Sequence, residues 1–400
     1  MAGTPGLGGD QISVARVLDS AFNAGPGWGA MPALFGLSTG QLPAALSMLS
    51  GDNASVGQSM EIAAGNQFVT LLGNRAGTVP GGVGPGAGQT VAVGAQASAA
   101  APCGESFCEL PRDWSVWAAG FGGGQWLSAD PVAGSSAAQQ STGGGAVGID
   151  YHIDADTRAG FGAGFSESSY WVSGTGALGR ATGAHFGLYG RHDWRGFYLA
   201  AAVAYSHFDG NATRPITGIG NTETARSYAS SNELGGRLEV GRPFDVATFA
   251  DGRVGITPLV ALQPTQLWTP GMTETSVTQS GAPGVFALDY RPAATTSLPL
   301  FVGAQLDLQR PIDGRPLEAS LRASWVHEFM TSRGVTAGFT ALPGTSFIVD
   351  GARAASDAAR LDLGLSYALG ERTSLFASAS AELSGRSQSI AGTAGVKFSW

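Results

Sequence analysis

The last eleven residues, Ile390-Ala-Gly-Thr-Ala-Gly-Val-Lys-Phe-Ser-Trp400, alternate two kinds of side chain and end on an aromatic. Ile390, Gly392, Ala394, Val396, Phe398 and Trp400 share one face; Ala391, Thr393, Gly395, Lys397 and Ser399 share the other. A period of two over about ten residues is the length and pattern of a strand that crosses an outer membrane at a tilt. Lipid tolerates no unpaired strand edge, so such a strand commits the chain to a closed barrel. Transport or display at a membrane then becomes the leading expectation, ahead of catalysis.

The rest of the composition fits a barrel wall. Only 13% of the 400 residues are charged, about half the usual share, and Gly, at 62, is roughly twice as frequent as usual. A lipid-facing surface excludes charge, and a tightly curved wall favours small side chains. The net charge of -8 leaves no basic stripe to neutralise phosphates, which argues against a nucleic-acid partner. No uninterrupted apolar run reaches 18 residues, so no transmembrane helix is expected. No cofactor is implied. Cys103 and Cys108 have no second Cys or His pair nearby, so a zinc site is not expected. They read as a small disulfide-closed loop in an oxidising compartment, against two idle thiols. Met1-Ala-Gly-Thr-Pro5 lacks the basic and apolar regions of a signal peptide, so the sequence is expected to be the C-terminal part of something longer.

Three regions follow from the patterning. Residues 1–75 read as helices: Ile12, Ala15, Leu18 and Phe22 form one stripe, Leu42, Leu46 and Leu49 a second, and Met60, Ala64, Phe68 and Leu71 or Leu72 a third. Residues 76–110 read as a Gly/Ala/Pro-rich tether. From 111 to 400 the chain reads as about twelve antiparallel strands, near 113–122, 143–153, 156–167, 180–192, 196–208, 224–241, 253–264, 296–309, 316–329, 358–369, 372–383 and 389–400. Short charged turns such as Ile153-Asp-Ala-Asp156 and Pro311-Ile-Asp-Gly-Arg-Pro316 rotate with longer loops near 123–142, 209–223, 265–295 and 330–357. That rotation describes an all-β transmembrane barrel with both of its ends on the short-turn side. Glu233, Arg237, Glu239, Glu318, Arg322 and Glu328 fall on the non-lipid face and are expected to pair around the lumen, where ionised groups avoid the cost of facing lipid. The glycines of Gly160-Phe-Gly-Ala-Gly-Phe165 are expected to line the inner wall where a threaded segment passes close.

Five segments in order resemble the translocator end of the autotransporter (type V secretion) family: Arg112-Asp-Trp-Ser-Val-Trp-Ala-Ala-Gly-Phe121, Gly183-Ala-His-Phe-Gly-Leu-Tyr-Gly-Arg191, Gly255-Ile-Thr-Pro-Leu-Val-Ala-Leu-Gln263, Leu321-Arg-Ala-Ser-Trp-Val-His-Glu-Phe329 and the final hairpin from Ser384 to Trp400. Residues 31–73 resemble the helical region that precedes the barrel in a subgroup of that family. The resemblance implies an outer-membrane domain that translocates and anchors an N-terminal passenger at the surface of a Gram-negative cell. It implies lipid, periplasmic chaperones and the barrel assembly machinery as partners, with Val396, Phe398 and Trp400 as the assembly signal. It leaves open whether residues 55–73 or the tether occupies the lumen.

Two further readings stand beside it. Some relatives cut themselves at an Asn inside the pore, and Asp52-Asn53 is the nearest candidate, although a turn or capping role is the default there. The five His residues form no convincing triad, so the chain is not expected to be an enzyme. The rival function is a stand-alone plugged barrel acting as a pore or adhesin.

Overall fold

The computed structural model describes residues 1–25, 31–78, 114–351 and 353–400. Residues 79–113, which hold most of the stretch read as a tether and both Cys103 and Cys108, lie outside the described residues.

The alternation becomes a wall from Trp114 onward. Strands β1 (Trp114–Leu127), β2 (Ala138–His152), β3 (Thr157–Val172), β4 (Leu178–Trp194), β5 (Phe197–Ile216) and β6 (Glu223–Gly241) pair antiparallel, each with the next. After Arg242-Pro243 the chain continues as β7 (Phe244–Phe249), proline supplying no donor for a ladder there. The seventh pass is β8 (Gly252–Leu262) with β9 (Thr265–Thr269), interrupted at Pro264. A long connection carries β10 (Met272–Thr273), β11 (Thr275–Thr278) and β12 (Leu288–Tyr290) to the eighth pass, β13 (Ala293–Ser297) with β14 (Pro299–Ile312). Then come β15 (Arg315–Glu328), a second long connection with β16 (Gly334–Phe339) and β17 (Phe347–Asp350), and finally β18 (Asp357–Ala368), β19 (Thr373–Ser384) and β20 (Ser387–Ser399). β1 pairs with β20 from Ser115–Ser399 to Leu127–Ser387, so twelve antiparallel passes close into a barrel.

One end of the barrel is built of tight turns. Arg195 (φ 50°) with Gly196 (φ 80°) and Asp313 (φ 51°) with Gly314 (φ 71°) are two-residue connections in which both residues are left-handed, the geometry that matches the twist of flanking strands. The other end carries the long loops. Outward side chains such as Phe186, Leu188, Val203, Leu361, Leu363 and Leu365 are exposed, as a lipid-facing band requires.

Several strands outrun the membrane. β5 has 20 residues, where about 9–11 suffice to cross. Along its outer face Phe197, Leu199, Val203 and Tyr205 give way to His207, Asp209 and Asn211, and Asp209 accepts a hydrogen bond from Ser230 while Tyr205 donates to Asn232 at 2.6 Å. The ladder therefore continues above the lipid, with its outer face polar. The sequence reading ended this strand at 208 because apolar alternation stops there; pairing does not.

The helices are α1 (Gly9–Ala24), a 3-10 turn at Pro32–Gly36, α2 (Leu42–Ser50) and α3 (Asn53–Gly73), which ends in one π-helical turn, Asn74–Thr78. Pro43 sits in the first turn of α2, where its missing N–H costs nothing. Gly51 ends α2 at φ 72°, and a Cβ there would stand 2.3 Å from the Tyr290 hydroxyl oxygen, so both backbone and space call for glycine. α1 and α2 sit at the long-loop end, on a small sheet of order β10-β12-β16-β17 formed by the two long connections. Val14, Leu18, Leu46 and Leu49 share one core with Phe286, Leu288, Val335, Phe339 and Val349. Arg214, at the top of β5, is buried in this cap. It pairs with Glu274 and donates to the carbonyls of Met48 (2.6 Å) and Phe286 (2.9 Å).

Asp10 gives the cap a pH dependence. Its Oδ1 accepts the Asp350 N–H at 2.7 Å, and its Oδ2 has no partner among the described residues. Burial pushes its carboxyl up to about 7; the Asp350 hydrogen bond and Arg353 oppose this, while the Asp52 and Asp350 charges add to it. Asp52 is raised too, again mainly by burial. The folded cap thus holds a proton that the unfolded chain releases near 3.8, so its docking is most stable below that pH. Stability should fall as pH rises from there to about 7 and then level off. Asp10→Asn should flatten much of this slope, read as protease resistance of residues 1–50 between about pH 4 and pH 8. An unchanged slope in the variant would contradict the assignment.

Candidate functional site

α3 is a helix with almost no free face: residues on all its sides are buried, including Met60, Ile62, Ala64, Phe68, Val69 and Leu72. It runs through the barrel. Val56 and Met60 pack with Leu127, Tyr170 and Val172 near the long-loop end, while Leu72 and Ala76 cluster with Trp117, Tyr189 and Tyr198 near the short-turn end. Of the two segments the sequence offered for the lumen, α3 is seen there; residues 79–113 lie outside the described residues.

The wall is cut to receive it. A Cβ at Gly162 would stand 2.7 Å from Leu72 Cδ2, one at Gly187 2.4 Å from Leu72 Cδ1, and one at Gly164 3.0 Å from the Phe68 ring. Gly162 and Gly164 belong to the Gly160–Phe165 segment read as lining a close approach. The Phe68 ring stacks on His185 at 5.1 Å, and His185 sits between the Ser166 and Ser206 hydroxyls, each at 2.8 Å. Both ring nitrogens are thereby occupied, and His185 acts as a satisfied wall residue. On the helix, Gly65 faces Glu233: a Cβ there would fall 1.7 Å from Glu233 Oε1. Glu61 accepts a hydrogen bond from Ser231 at 2.7 Å.

A polar chain then crosses the lumen wall. Asn66 Oδ1 accepts from Gln263 (3.0 Å) and Thr265 (2.8 Å); Gln263 accepts from Arg237 (2.9 Å); Arg237 donates to Glu239 (2.7 Å). Glu239 also takes the Arg322 guanidinium at 3.0 and 3.1 Å and the Tyr198 hydroxyl at 2.8 Å, and Arg322 continues to Gln305. Buried charges need such full pairing, since each left alone costs several kcal/mol. Of the six polar positions read from sequence, Arg237, Glu239 and Arg322 meet in this network. Glu233 lies higher, against α3. Glu318 is half-buried nearer the short turns, within 3.5 Å of Gln309. Glu328 is at the long-loop rim, where it accepts the N–H groups of Leu298 (2.7 Å) and Met330 (2.8 Å).

The foot of the helix is latched. Arg75 forms a buried pair with Asp150 and lies between the Trp117 and Phe376 rings at 5.3 and 5.0 Å. Asp150 also accepts from Ser115 (2.9 Å) and Tyr189, whose oxygen takes the Trp117 indole N–H at 2.7 Å. Arg158 donates to the Ala76 carbonyl at 2.6 Å. Glu61, Asn66 and Arg75 were missed in the sequence; Glu61 and Arg75 are the only charged residues between Asp52 and Glu105, which is the signal that marks them, while Asn66 beside Gln67 carries none. Asn53 opens α3, buried, with Nδ2 3.4 Å from the Tyr170 hydroxyl. α3 lies against β3 to β6 and leaves a cavity of about 240 Å³ on its opposite side, bounded by small residues of β1, β19 and β20 such as Gly123, Ser378, Ser380 and Gly392. Among the described residues no cluster of His, Cys, Asp and Glu has the form of a metal site. No helix among them is long and apolar enough to cross a membrane, which says nothing of the strands.

The Autotransporter beta-domain family model matches residues 116–380. The chain belongs to the autotransporter β-domain family. Its β-domain shares its fold with the translocator domain of the autotransporter NalP from Neisseria meningitidis, at 17% identity and a TM-score of 0.51 over 72% of this chain and 88% of that one. The beta domain of the Bordetella autotransporter BrkA is similar at 18% identity and a TM-score of 0.49, over 72% of this chain and 100% of that one. The transport unit of the autotransporter AIDA-I from Escherichia coli follows at 15% identity and a TM-score of 0.48, over 72% and 90%. No curated protein matches the sequence. As an autotransporter β-domain, the chain is a transport barrel of the Gram-negative outer membrane, and the family implies an N-terminal passenger.

Proposed function

We propose that this β-domain anchors and exports whatever precedes it, with the long-loop end at the cell surface and the short turns in the periplasm. The observation that carries the reading is α3 itself: a helix seated along the lumen, continuous at its N-terminus with the cap. A chain exported through the pore, amino end outward, would come to rest in this way. The barrel does no chemistry of its own on this reading. The paired charges hold wall and helix together, and Asn53, buried at the start of α3 with its amide on the Tyr170 hydroxyl, has a structural role. The porin-like rival loses ground because the helix is latched at its foot and joined to a folded cap.

Orientation is tested by thiol labelling in cells, with Cys103 and Cys108 replaced by Ser. Gly40 is exposed with open space around it, and Glu371 is exposed in the short turn between β18 and β19. A membrane-impermeant maleimide should label Gly40→Cys in intact cells and Glu371→Cys only after the outer membrane is breached. The reverse pattern, or protection of both, would overturn the reading.

Assembly partners belong to the same proposal: lipid, periplasmic chaperones and the barrel assembly machinery, the last reading Val396, Phe398 and Trp400. The Phe398 and Trp400 rings lie outward at 6.2 Å from each other, and the Trp400 N–H closes the seam on the Trp114 carbonyl at 3.1 Å. Removing Trp400 should slow the appearance of heat-modifiable barrel several-fold; normal kinetics in the truncation would remove it from the signal.

A further inference from the structure

The outer face of the wall continues past the lipid. Phe165, Ala184, His207 and Asn232 share one pairing row across β3 to β6, and polar residues begin there on β5 and β6. Ser169, Arg180, Asn211 and Tyr228 share the second row beyond it, about 13 Å further along the strands and clear of the hydrocarbon. One more row on stand Trp171 and Arg226, again facing outward. Tyr228 is 75% exposed and Trp171 47%, so two large aromatic faces are left bare on either side of Arg180 and Asn211.

The charge on this face is as specific as its shape. Arg180 and Arg226 are exposed and form no ion pair among the described residues. Every other Arg or Lys of the strands points inward or stands near the short turns. The two lie two strands and two residues apart, a separation of about 12 Å between Cα atoms. A guanidinium takes phosphate through two parallel N–H donors. Aromatic rings cover the apolar side of a sugar ring, while the Asn211 amide and the Tyr228 hydroxyl can serve its hydroxyl groups. A plain phospholipid headgroup ends near Arg180; only a headgroup extended by sugars reaches Tyr228 and Arg226. Glu167 and Asp209 lie one row nearer the lipid than Arg180. Asp209 is engaged by Ser230 and stands 3.7 Å from His207, and magnesium readily bridges carboxylates to phosphates at such a place.

We propose that the outer face of β3 to β6 above the lipid binds the phosphorylated sugar headgroup of an outer-leaflet glycolipid. Arg180 takes a phosphate, Trp171 and Tyr228 bracket the sugars, and Arg226 takes an anionic group further out. The inference rests on the orientation given above, which puts the long-loop end at the cell surface.

The test titrates the purified full chain, in detergent with magnesium, against three probes. They are a bisphosphorylated glycolipid from the outer leaflet of a Gram-negative cell, the same glycolipid stripped of phosphate, and phosphatidylglycerol. Bound lipid is counted by native mass spectrometry, and heat-modifiability confirms that each variant is folded. The phosphorylated glycolipid should bind at least tenfold more tightly than either other probe. Arg180→Gln with Arg226→Gln should abolish the preference for phosphate. Trp171→Ser with Tyr228→Ser should weaken both glycolipids several-fold and leave phosphatidylglycerol unchanged. Equal binding of the three probes, or an unchanged preference in the double arginine variant, would overturn the proposal. Detergent binding does not depend on the direction of insertion, so it reads the site by itself. A reversed maleimide pattern at Gly40→Cys and Glu371→Cys, with the site intact in detergent, would instead overturn the orientation and with it the outer-leaflet partner.

Discussion

Arg75→Ala is expected to release the foot of α3 and widen the path beside it through the barrel. Arg75 and Asp150 are both buried, and Asp150 holds two further donors in place: Arg75 shares it with Ser115 and Tyr189. Removing one partner of a buried pair leaves the other charge unsolvated, at about 3–5 kcal/mol. The loss also takes the guanidinium from between Trp117 and Phe376, where it fills the base of the lumen. The expected readouts are a lower heat-modification midpoint and channel openings in planar bilayers larger than those of the unmodified chain. Asp150→Asn with Arg75→Met should recover much of the stability, since replacing both members removes the uncompensated charge. A barrel as stable and as closed with Arg75→Ala as without it would show that the latch is decorative.

The second large effect is expected at Gly65. Here the helix comes so close to β6 that even a methyl would meet the Glu233 carboxylate. Gly65→Leu must push α3 off the wall or drive Glu233 out of its place, and overpacking of this kind costs about 1–3 kcal/mol. Because the displaced helix also carries Glu61 and Asn66, their bonds to Ser231, Gln263 and Thr265 would be strained together. Glu233→Ala in the same chain opens the required space, so the double variant should be more stable than Gly65→Leu alone. Additive losses would mean that the two residues do not meet.

The barrel was legible because lipid enforces period two on every pass; Leu361, Leu363 and Leu365 alternate with Asp362 and Gly364, and the strand is there. Its extension above the membrane was not legible, since His207, Asp209 and Asn211 on β5 look like loop residues once lipid no longer dictates the outer face. The small loop sheet was invisible for a different reason. It pairs Leu288 with Phe339 across two separate connections; β12, at three residues, is too short to show a pattern, and the six residues of β16 do not show which strand they meet. The helix in the lumen announced itself by the Met60, Ala64, Phe68 and Leu72 stripe, but not by its destination. What places it are contacts between distant residues: Asn66 with Thr265, Gly65 with Glu233, Arg75 with Asp150. The inward charges were readable one by one from strand parity. Their partners were not, because Arg322 and Glu239 come together only when the wall curves to bring β6 and β15, separated by β8 and β14, towards each other on the lumen side.

Export is tested most directly by giving the chain a passenger. A signal peptide and an epitope-tagged reporter are joined ahead of Met1, the fusion is expressed in a Gram-negative host, and intact cells are treated with protease. The account predicts that the tag is cut away from intact cells while the heat-modifiable barrel survives. A tag that stays protected until the outer membrane is breached, with the barrel correctly inserted, would contradict it and leave a plugged, non-exporting barrel as the better description.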